Sequence, residues 1–493
     1  MEGPCIPEIV ADCLHGRVTA EAVLARHLAR HQATHASLNA LIQPRLAAAN
    51  SEAATVTAAI AEGRPPGMLA GVPVSVKECF PVRGLVTTLG IASRRDAIDT
   101  ADAPIVCRLR AAGAVVIGKA NVPQAMFLHE TDNPVWGVSR HPTHPDRNPG
   151  GSSGGDAALV AAGVVPLGVG TDLAGSIRQP AHACGIAGIV PRSATLGASG
   201  SFDTMPHLQF VRARAGLLAA RVADLRSGLV AVGVEAMGPP ADLCSLRIGW
   251  FDDCGPLESA PAIRRGVQES VAAMAAAGAT VTPISGSLWE EAAWLHLAIL
   301  SSDGGRNVRS LFGNTRPVPE VARLLRLAGL PRWLRPPLAA LAEATGRQIE
   351  AEAVRGTGPR SAAALRHLDH SRAALATQLH SLAATCDAII CPVSAVPAMR
   401  HGTAGRLVVA AAPCLAANLF DLPAGAVPVT TVRTDEESGR RPDRDPVVRL
   451  ATETDRDSRG LPVGVQVVGL QTEPHAGERL VLDVMACIEQ SRR

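Results

Sequence analysis

The chain has 493 residues, 47% of them apolar and 19% charged, which is enough for a large buried core. Its 47 basic and 45 acidic residues leave a formal charge of +2, a balance that argues against nucleic acid or another polyanion as partner. There is no tyrosine, which excludes mechanisms that need a phenol, and eleven cysteines without a C-x-x-C pair suggest a reduced, cytoplasmic chain without disulfides or structural zinc.

No uninterrupted apolar run reaches the roughly 18–20 residues that span a bilayer. Segments 157–170 and 407–420 come nearest and are broken by Pro166 and Pro413. The N-terminus carries acids and a cysteine where a signal sequence would have basic residues and an apolar core. Residues 1–65 read as a helical segment packed on the core. Thr19 caps a helix whose Ala20, Val23, Leu24 and Leu28 share one face at the 3.6-residue spacing. Pro65, Pro66 and Gly67 then break the chain.

The next stretch, LAGVPVSVKECF, is a short strand. Period-two alternation puts Val72, Val74 and Val76 on one side and Pro73, Ser75 and Lys77 on the other. Strands and helices then alternate, with strands expected at 114–118, 164–169, 246–250, 388–391, 424–429 and 462–468. That rhythm predicts an α/β fold, a large mixed, mostly parallel twisted β-sheet covered by helices on both faces. From about 288 to 365 the pattern is mainly helical. Segment 317–345 places Val321, Leu324, Leu325, Leu327, Leu330, Trp333, Leu334 and Leu338 among Arg323, Arg326, Arg332 and Arg335. Two short helices, broken at Gly329–Pro331 and again at Pro336–Pro337, would be apolar and basic at once. They suit either a membrane surface or a hairpin packed on the core or on a second copy of the chain. The polar stretch 436–459 reads as a surface excursion.

Two glycine-rich loops carry serines: GGSSGG holds Ser152 and Ser153, and GTDLAGSIRQP holds Ser176, 24 positions after Ser152. A serine attacks well only when another group takes its proton. Ser153 fits G-x-S-x-G, but a nucleophile elbow needs a strand running into the serine, and HPTHPDRNPG is a polar, proline-broken loop. His141 and His144 lie in that loop without a third metal ligand and read as exposed loop histidines. The remaining base is a desolvated lysine, since burial disfavours the ammonium form. Lys77, at the end of an apolar strand, is the candidate.

Lys77 in GVPVSVKECF, Ser152 in GGSSGG and Ser176 in GTDLAGSIRQPA resemble the Ser–cis-Ser–Lys triad of the amidase signature family. The likeness continues through 102–124, 387–392, 418–432 and 460–469, and covers 66–493 as a catalytic domain with the helical excursion at 288–365 as its cap. The resemblance implies that Ser176 is the acyl-forming nucleophile and that Ser152, entered through a cis peptide from Gly151, relays a proton to Lys77. The backbone N–H groups of Leu173, Ala174, Gly175 and Ser176 would form the oxyanion hole. Asp172, Arg178 and Ser153 would brace the loops. Two departures stand out: Ala174 where many members have glycine, and 188–197, which lacks the usual Lys-Pro-Thr pattern.

Within the family, NVPQAMF (121–127), SSDGGR (301–306), the 329–335 stretch and 420–432 resemble the fatty acid amide hydrolase branch more than generic amidases. In that branch the backbone carbonyl at the position of Met126 contacts the substrate amide, and the residue at Phe127 lines the acyl channel. The cap then falls where those enzymes touch the membrane. The sequence carries no counterpart of the mammalian enzymes' N-terminal transmembrane helix, which implies contact of a peripheral kind. The implied reaction is hydrolysis of a small-molecule amide with a lipophilic acyl chain, with no metal and no organic cofactor. The alternatives are a short-chain or aryl amidase, an amide-forming acyltransferase, or the glutaminase subunit of a tRNA-dependent amidotransferase. A homodimer is the other use open to the cap.

Overall fold

Eleven strands build one sheet among the described residues: β1 (Leu41–Pro44), β2 (Pro73–Lys77), β3 (Val115–Ala120), β4 (Leu167–Asp172), β5 (Ala187–Val190), β6 (Arg214–Ala219), β7 (Arg247–Trp250), β8 (Thr280–Pro283), β9 (Ala388–Pro392), β10 (Ala424–Thr431) and β11 (Pro462–Gly469). Their order is β1-β3-β2-β4-β6-β5-β10-β11-β9-β7-β8. The computed structural model describes residues 3–64, 66–208, 210–234, 239–471 and 473–492, so Pro65 of the expected chain break lies outside the described residues.

The mixed α/β architecture is the one expected, but the balance of strand directions is not. Parallel pairing joins β2 to β3, β2 to β4, β7 to β8 and β7 to β9. The other six pairings are antiparallel. Alternation of apolar and polar residues reports which face a side chain occupies and is blind to strand direction. The long connections 191–213 and 432–461 reverse the chain, so the sheet is not mostly parallel. β1 also lies inside the stretch read as helical, because four residues are too few for a period to register.

Two apolar layers flank the sheet. Val74, Val76, Leu167, Val169 and Leu217 pack with helices Ile6–Leu14, Val222–Ala231, Pro261–Ala276 and Ala476–Ser491. Val115, Ile117 and Leu218 face helices Ala20–Leu38, Leu46–Ala61, Gly154–Ala161 and Arg178–Cys184. Thr19 caps its helix as expected, accepting from Ala22 N at 3.2 Å. Ser75 and Lys77 point away from Val74 and Val76, toward the Gly154–Ala161 helix that follows the first serine loop. That placement buries a lysine inside the protein.

The excursion is helical, with Ser287–Leu300, Arg306–Phe312, Pro319–Gly329, Arg335–Ala344 and Gln348–Gly356. Pro336 and Pro337 open the helix Arg335–Ala344 and do not break it, because the first turn needs no N–H from them. Arg335 is buried and donates to the carbonyls of Leu327, Ala328, Leu330 and Val354, tying three cap helices together. Within 436–459 a helix forms at Pro446–Asp455, anchored by the buried Arg440–Asp455 pair at 2.7 Å. Among the described residues no helix is long and apolar enough to cross a membrane.

Candidate active site

The parallel register of β2 and β4 aligns Val76 with Val169, which brings the carboxyl ends of both strands together. Lys77 ends β2 fully buried, and its Nζ donates to Ser152 Oγ at 2.7 Å, Thr171 Oγ1 at 2.8 Å and Thr171 O at 3.2 Å. Burial pushes the lysine below its ordinary range. Among the described residues no anion bonds to it directly. The nearby carboxyl of Asp156, on the Gly154–Ala161 helix, accepts from Ser75 Oγ through Oδ1 at 2.7 Å, keeps Oδ2 buried without a partner among the described residues, and is itself pushed up to about 7 by burial.

The Gly151–Ser152 peptide is cis. Gly151 lies so close to Leu128 O and Glu130 N that a Cβ would sit within 2.7 Å of both, which requires glycine there. Gln179 Oε1 accepts from Gly151 N at 3.0 Å, and Ser153 N donates to Ser176 O at 3.1 Å, so the two serine loops are stitched directly to each other. Ser153 runs straight into a helix and is preceded by a loop, which rules out the nucleophile elbow. Among the described hydrogen bonds one joins Ser152 Oγ to Lys77 and none joins it to the hydroxyl of Ser176.

Asp172 and Arg178 brace the second loop, as their flanking positions suggested. The guanidinium grips the carboxylate in a fork, Nη2 to Oδ1 at 2.8 Å and Nε to Oδ2 at 3.1 Å, with both groups fully buried. The carboxyl is held well below its usual range, against the cost of burial, by that cation and by the N–H of Ile177. Asp172 Oδ1 also takes the N–H of Gly175 at 2.8 Å, so this expected oxyanion donor is engaged already. The N–H groups of Leu173, Ala174 and Ser176 have no partner among the described hydrogen bonds. Gly175 has φ +95° and packs on Cys414, where a Cβ would meet the cysteine Cβ at 2.8 Å. Ala174 has no positive φ, so its methyl is accommodated without strain.

A buried lysine on a cis-bonded serine, with a second serine loop beside it, is a hydrolase arrangement, and residues 22–476 match the family model described as Amidase. The chain belongs to the amidase family. The amidase is similar to fatty-acid amide hydrolase 1 of Sus scrofa, 31% identical over 98% of this chain and 85% of that protein. Fatty acid amide hydrolase 1 of Caenorhabditis elegans is 29% identical over 86% of this chain and 77% of its own length. A solved structure of a fatty acid amide hydrolase shares the fold, with a TM-score of 0.83 at 21% identity over 98% of this chain and 85% of that one.

The amidase carries a cavity of about 210 Å³ above Ser176, which is 9% exposed. Met126 and Phe127 line it together with Leu173, Ala174, Trp294 and Leu297, and the cap adds Leu324, Leu327 and Ala328. Ala125 and Met126 both have positive φ, 56° and 55°. Two consecutive non-glycine residues in the left-handed region mark a loop held in place by its surroundings. Leu89 O takes Ala125 N at 2.8 Å, and Leu89 N in turn donates to the buried Glu78 at 2.9 Å.

One expectation is corrected, and one departure from the family pattern is located. His141 is buried, its Nε2 2.8 Å from Ala183 O, and is not an exposed loop histidine. Segment 188–197 lines no part of the cavity; Arg192 N and Thr195 bond to Glu478, and Ser193 to Asp421, so its departure from the family pattern falls on scaffold. Three residues of the site were not singled out from sequence. Thr171, Asp156 and Cys414 are ordinary types at ordinary positions, and only the β2–β4 register and the packing of residues 412–419 on the second serine loop reveal them. Position 156 did carry one signal, an acid in the first turn of an otherwise apolar helix.

Proposed function

We propose that this amidase hydrolyses a lipophilic carboxylic amide through an acyl-enzyme on Ser176, with Lys77 as base and Ser152 as relay. Its main support is the buried Lys77–Ser152 hydrogen bond of 2.7 Å beneath an apolar cavity that opens on Ser176. Lys77 as an ammonium has three N–H groups and three acceptors. After loss of one proton, two N–H groups still serve Thr171 and the lone pair faces Ser152 Oγ. Desolvation makes that neutral form accessible.

Ser152 then passes its proton to Lys77 and takes the proton of Ser176 as Oγ attacks the amide carbonyl. The oxyanion is received by the free N–H groups of Leu173, Ala174 and Ser176. The relay reverses to protonate the leaving amine, and water cleaves the ester to release the acid. Met126 O holds the amide N–H and Phe127 guides the acyl chain. We further infer that 66–493 is the catalytic unit with 1–65 packed on it, and that the protein works in the cytoplasm with the cap resting on a membrane. That surface placement is supported by Trp333, Leu341 and Leu338, 74%, 62% and 38% exposed beside the exposed Arg326 and Arg332.

Hydrolysis rates over a series from acetamide to long-chain N-acylethanolamines, with and without vesicles, test the proposal. We expect kcat/KM to rise with acyl length and again with vesicles. A preference for acetamide or aryl amides would contradict the lipophilic substrate and leave the triad in place.

A further inference from the structure

Beside the substrate cavity lies a second one of about 380 Å³, and the two share His207 and Asp303 as a common wall. The second cavity differs in chemistry. Arg306, Arg360 and Arg366 line it, interleaved with Phe210, Leu365 and Leu368. Among the described residues none of these three arginines has a carboxylate within ion-pair distance. Arg306 Nε donates to Asp303 O at 3.0 Å, and half-buried Arg360 donates to the carbonyls of Thr357 and Gly356. The acids in the wall are already engaged. Asp303 caps the next helix through the N–H groups of Gly305 and Asn307 at 2.6 and 2.8 Å, and Asp369 pairs with Arg372 at 3.0 Å.

The shared wall has an unmet polar demand of its own. Among the described residues both ring nitrogens of His207 are buried without a hydrogen-bond partner, and Nε2 stands 3.7 Å from Asp303 Oδ1, beyond hydrogen-bond distance. The apolar cavity over Ser176 therefore ends at a wall that holds a histidine with unpartnered nitrogens, and across that wall lie the guanidinium groups of half-buried Arg360 and of exposed Arg306 and Arg366. Guanidinium forks match carboxylates in geometry and charge.

We infer that the arginine-lined cavity is an anion subsite of the active-site channel, and that the preferred amides carry a carboxylate at one end of a lipophilic chain. This rests on the lipophilic-amide reading above and narrows it. The acid group has two possible sources: an amino acid as the amine half, or a second carboxyl at the far end of the acyl half. In either case the arginines hold the carboxylate and fix how far the chain extends past Ser176, which sets the position of the scissile carbonyl.

Four probes with ten-carbon acyl chains separate the sources: decanoyl-glycine against decanoyl-ethanolamide, and the monoamide of sebacic acid against decanamide. The readout is the ratio of kcat/KM for the acidic member of each pair to its neutral partner, in the wild type and in R366E and R306A/R366A, with melting temperature recorded for each variant. We expect one of the two ratios to exceed unity in the wild type and to fall about tenfold in both variants, the size of losing one charge-assisted hydrogen bond. The same ratio should fall as salt screens the arginines. Ratios that stay within twofold of wild type in both variants would overturn the subsite. Absence of hydrolysis for all four probes would instead overturn the lipophilic-amide reading beneath it.

Discussion

The floor of the site and its cap are built on opposite principles. Beneath Ser176, buried polar groups are tied to one another across great sequence distances: Arg178 alone reaches Asp172, Cys414, Asn418 and Gln466. In the cap, apolar side chains and the carbonyl-gripping Arg335 hold short helices over the cavity, and Trp333 faces solvent. A satisfied buried polar network is intolerant of change, whereas apolar walls accept substitution at modest cost. Chemistry and substrate choice should therefore respond to mutation separately.

The largest effects should come from the floor. Ser176→Ala should lower kcat by about four orders of magnitude or more with the melting temperature nearly unchanged. Lys77→Ala should do the same to kcat and also destabilise, since Ser152 and Thr171 lose a buried partner. Near-wild-type turnover in either variant would break the distinction between the two regions at once. Arg178→Ala leaves the Asp172 carboxylate buried without its cation, and should cost about 3–5 kcal/mol in denaturant unfolding. Because Asp172 is held below its unfolded value, the stability it contributes is present above about pH 4 and is lost as the pH falls below that range. Wild type should show this acid loss and Arg178→Ala should not.

Substitutions above Ser176 should act on selectivity. Leu327→Trp narrows the channel and should lower the rate on long-chain amides about tenfold relative to acetamide. Equal loss on both would mean that the cap also shapes the catalytic floor. Smaller still is the pH effect of Asp156. An ionised Asp156 raises the pKa of Lys77, and kcat/KM should rise with pH as Lys77 loses its proton. Asp156→Asn removes that anion and should move the acidic limb of the profile to lower pH; an unmoved limb would uncouple the two groups. Trp333→Ser should be nearly silent in solution, within about 0.5 kcal/mol in stability, and show its effect only when substrate is presented in vesicles.

The same division explains what could be read from the sequence. Lys77 was legible only in combination: a lysine that ends an apolar strand becomes a candidate base once two glycine-rich loops carry serines, and the separate roles of Ser152 and Ser176 came from the family resemblance. Ala174 could be flagged but not judged, since its φ is a property of the folded loop. The acceptors that Thr171 supplies to Lys77 were out of reach, because they depend on the register of two strands 94 positions apart, and the engagement of Gly175 N–H by Asp172 three residues before it is a property of the folded loop. Strand direction was invisible to alternation, and β1 was too short to show it. In the cap, the prolines at 336 and 337 signalled a helix end and turned out to mark a helix start, two readings that proline allows equally until its neighbour's geometry is known.

The central claim is that Ser176 forms the acyl bond with Lys77 as its base. Reacting the protein with a fluorophosphonate and mapping the adduct by peptide mass spectrometry tests it most directly. The label should fall on Ser176 in the wild type and become far slower in Lys77→Ala. An adduct on Ser152 or Ser153, or equal labelling without Lys77, would contradict it.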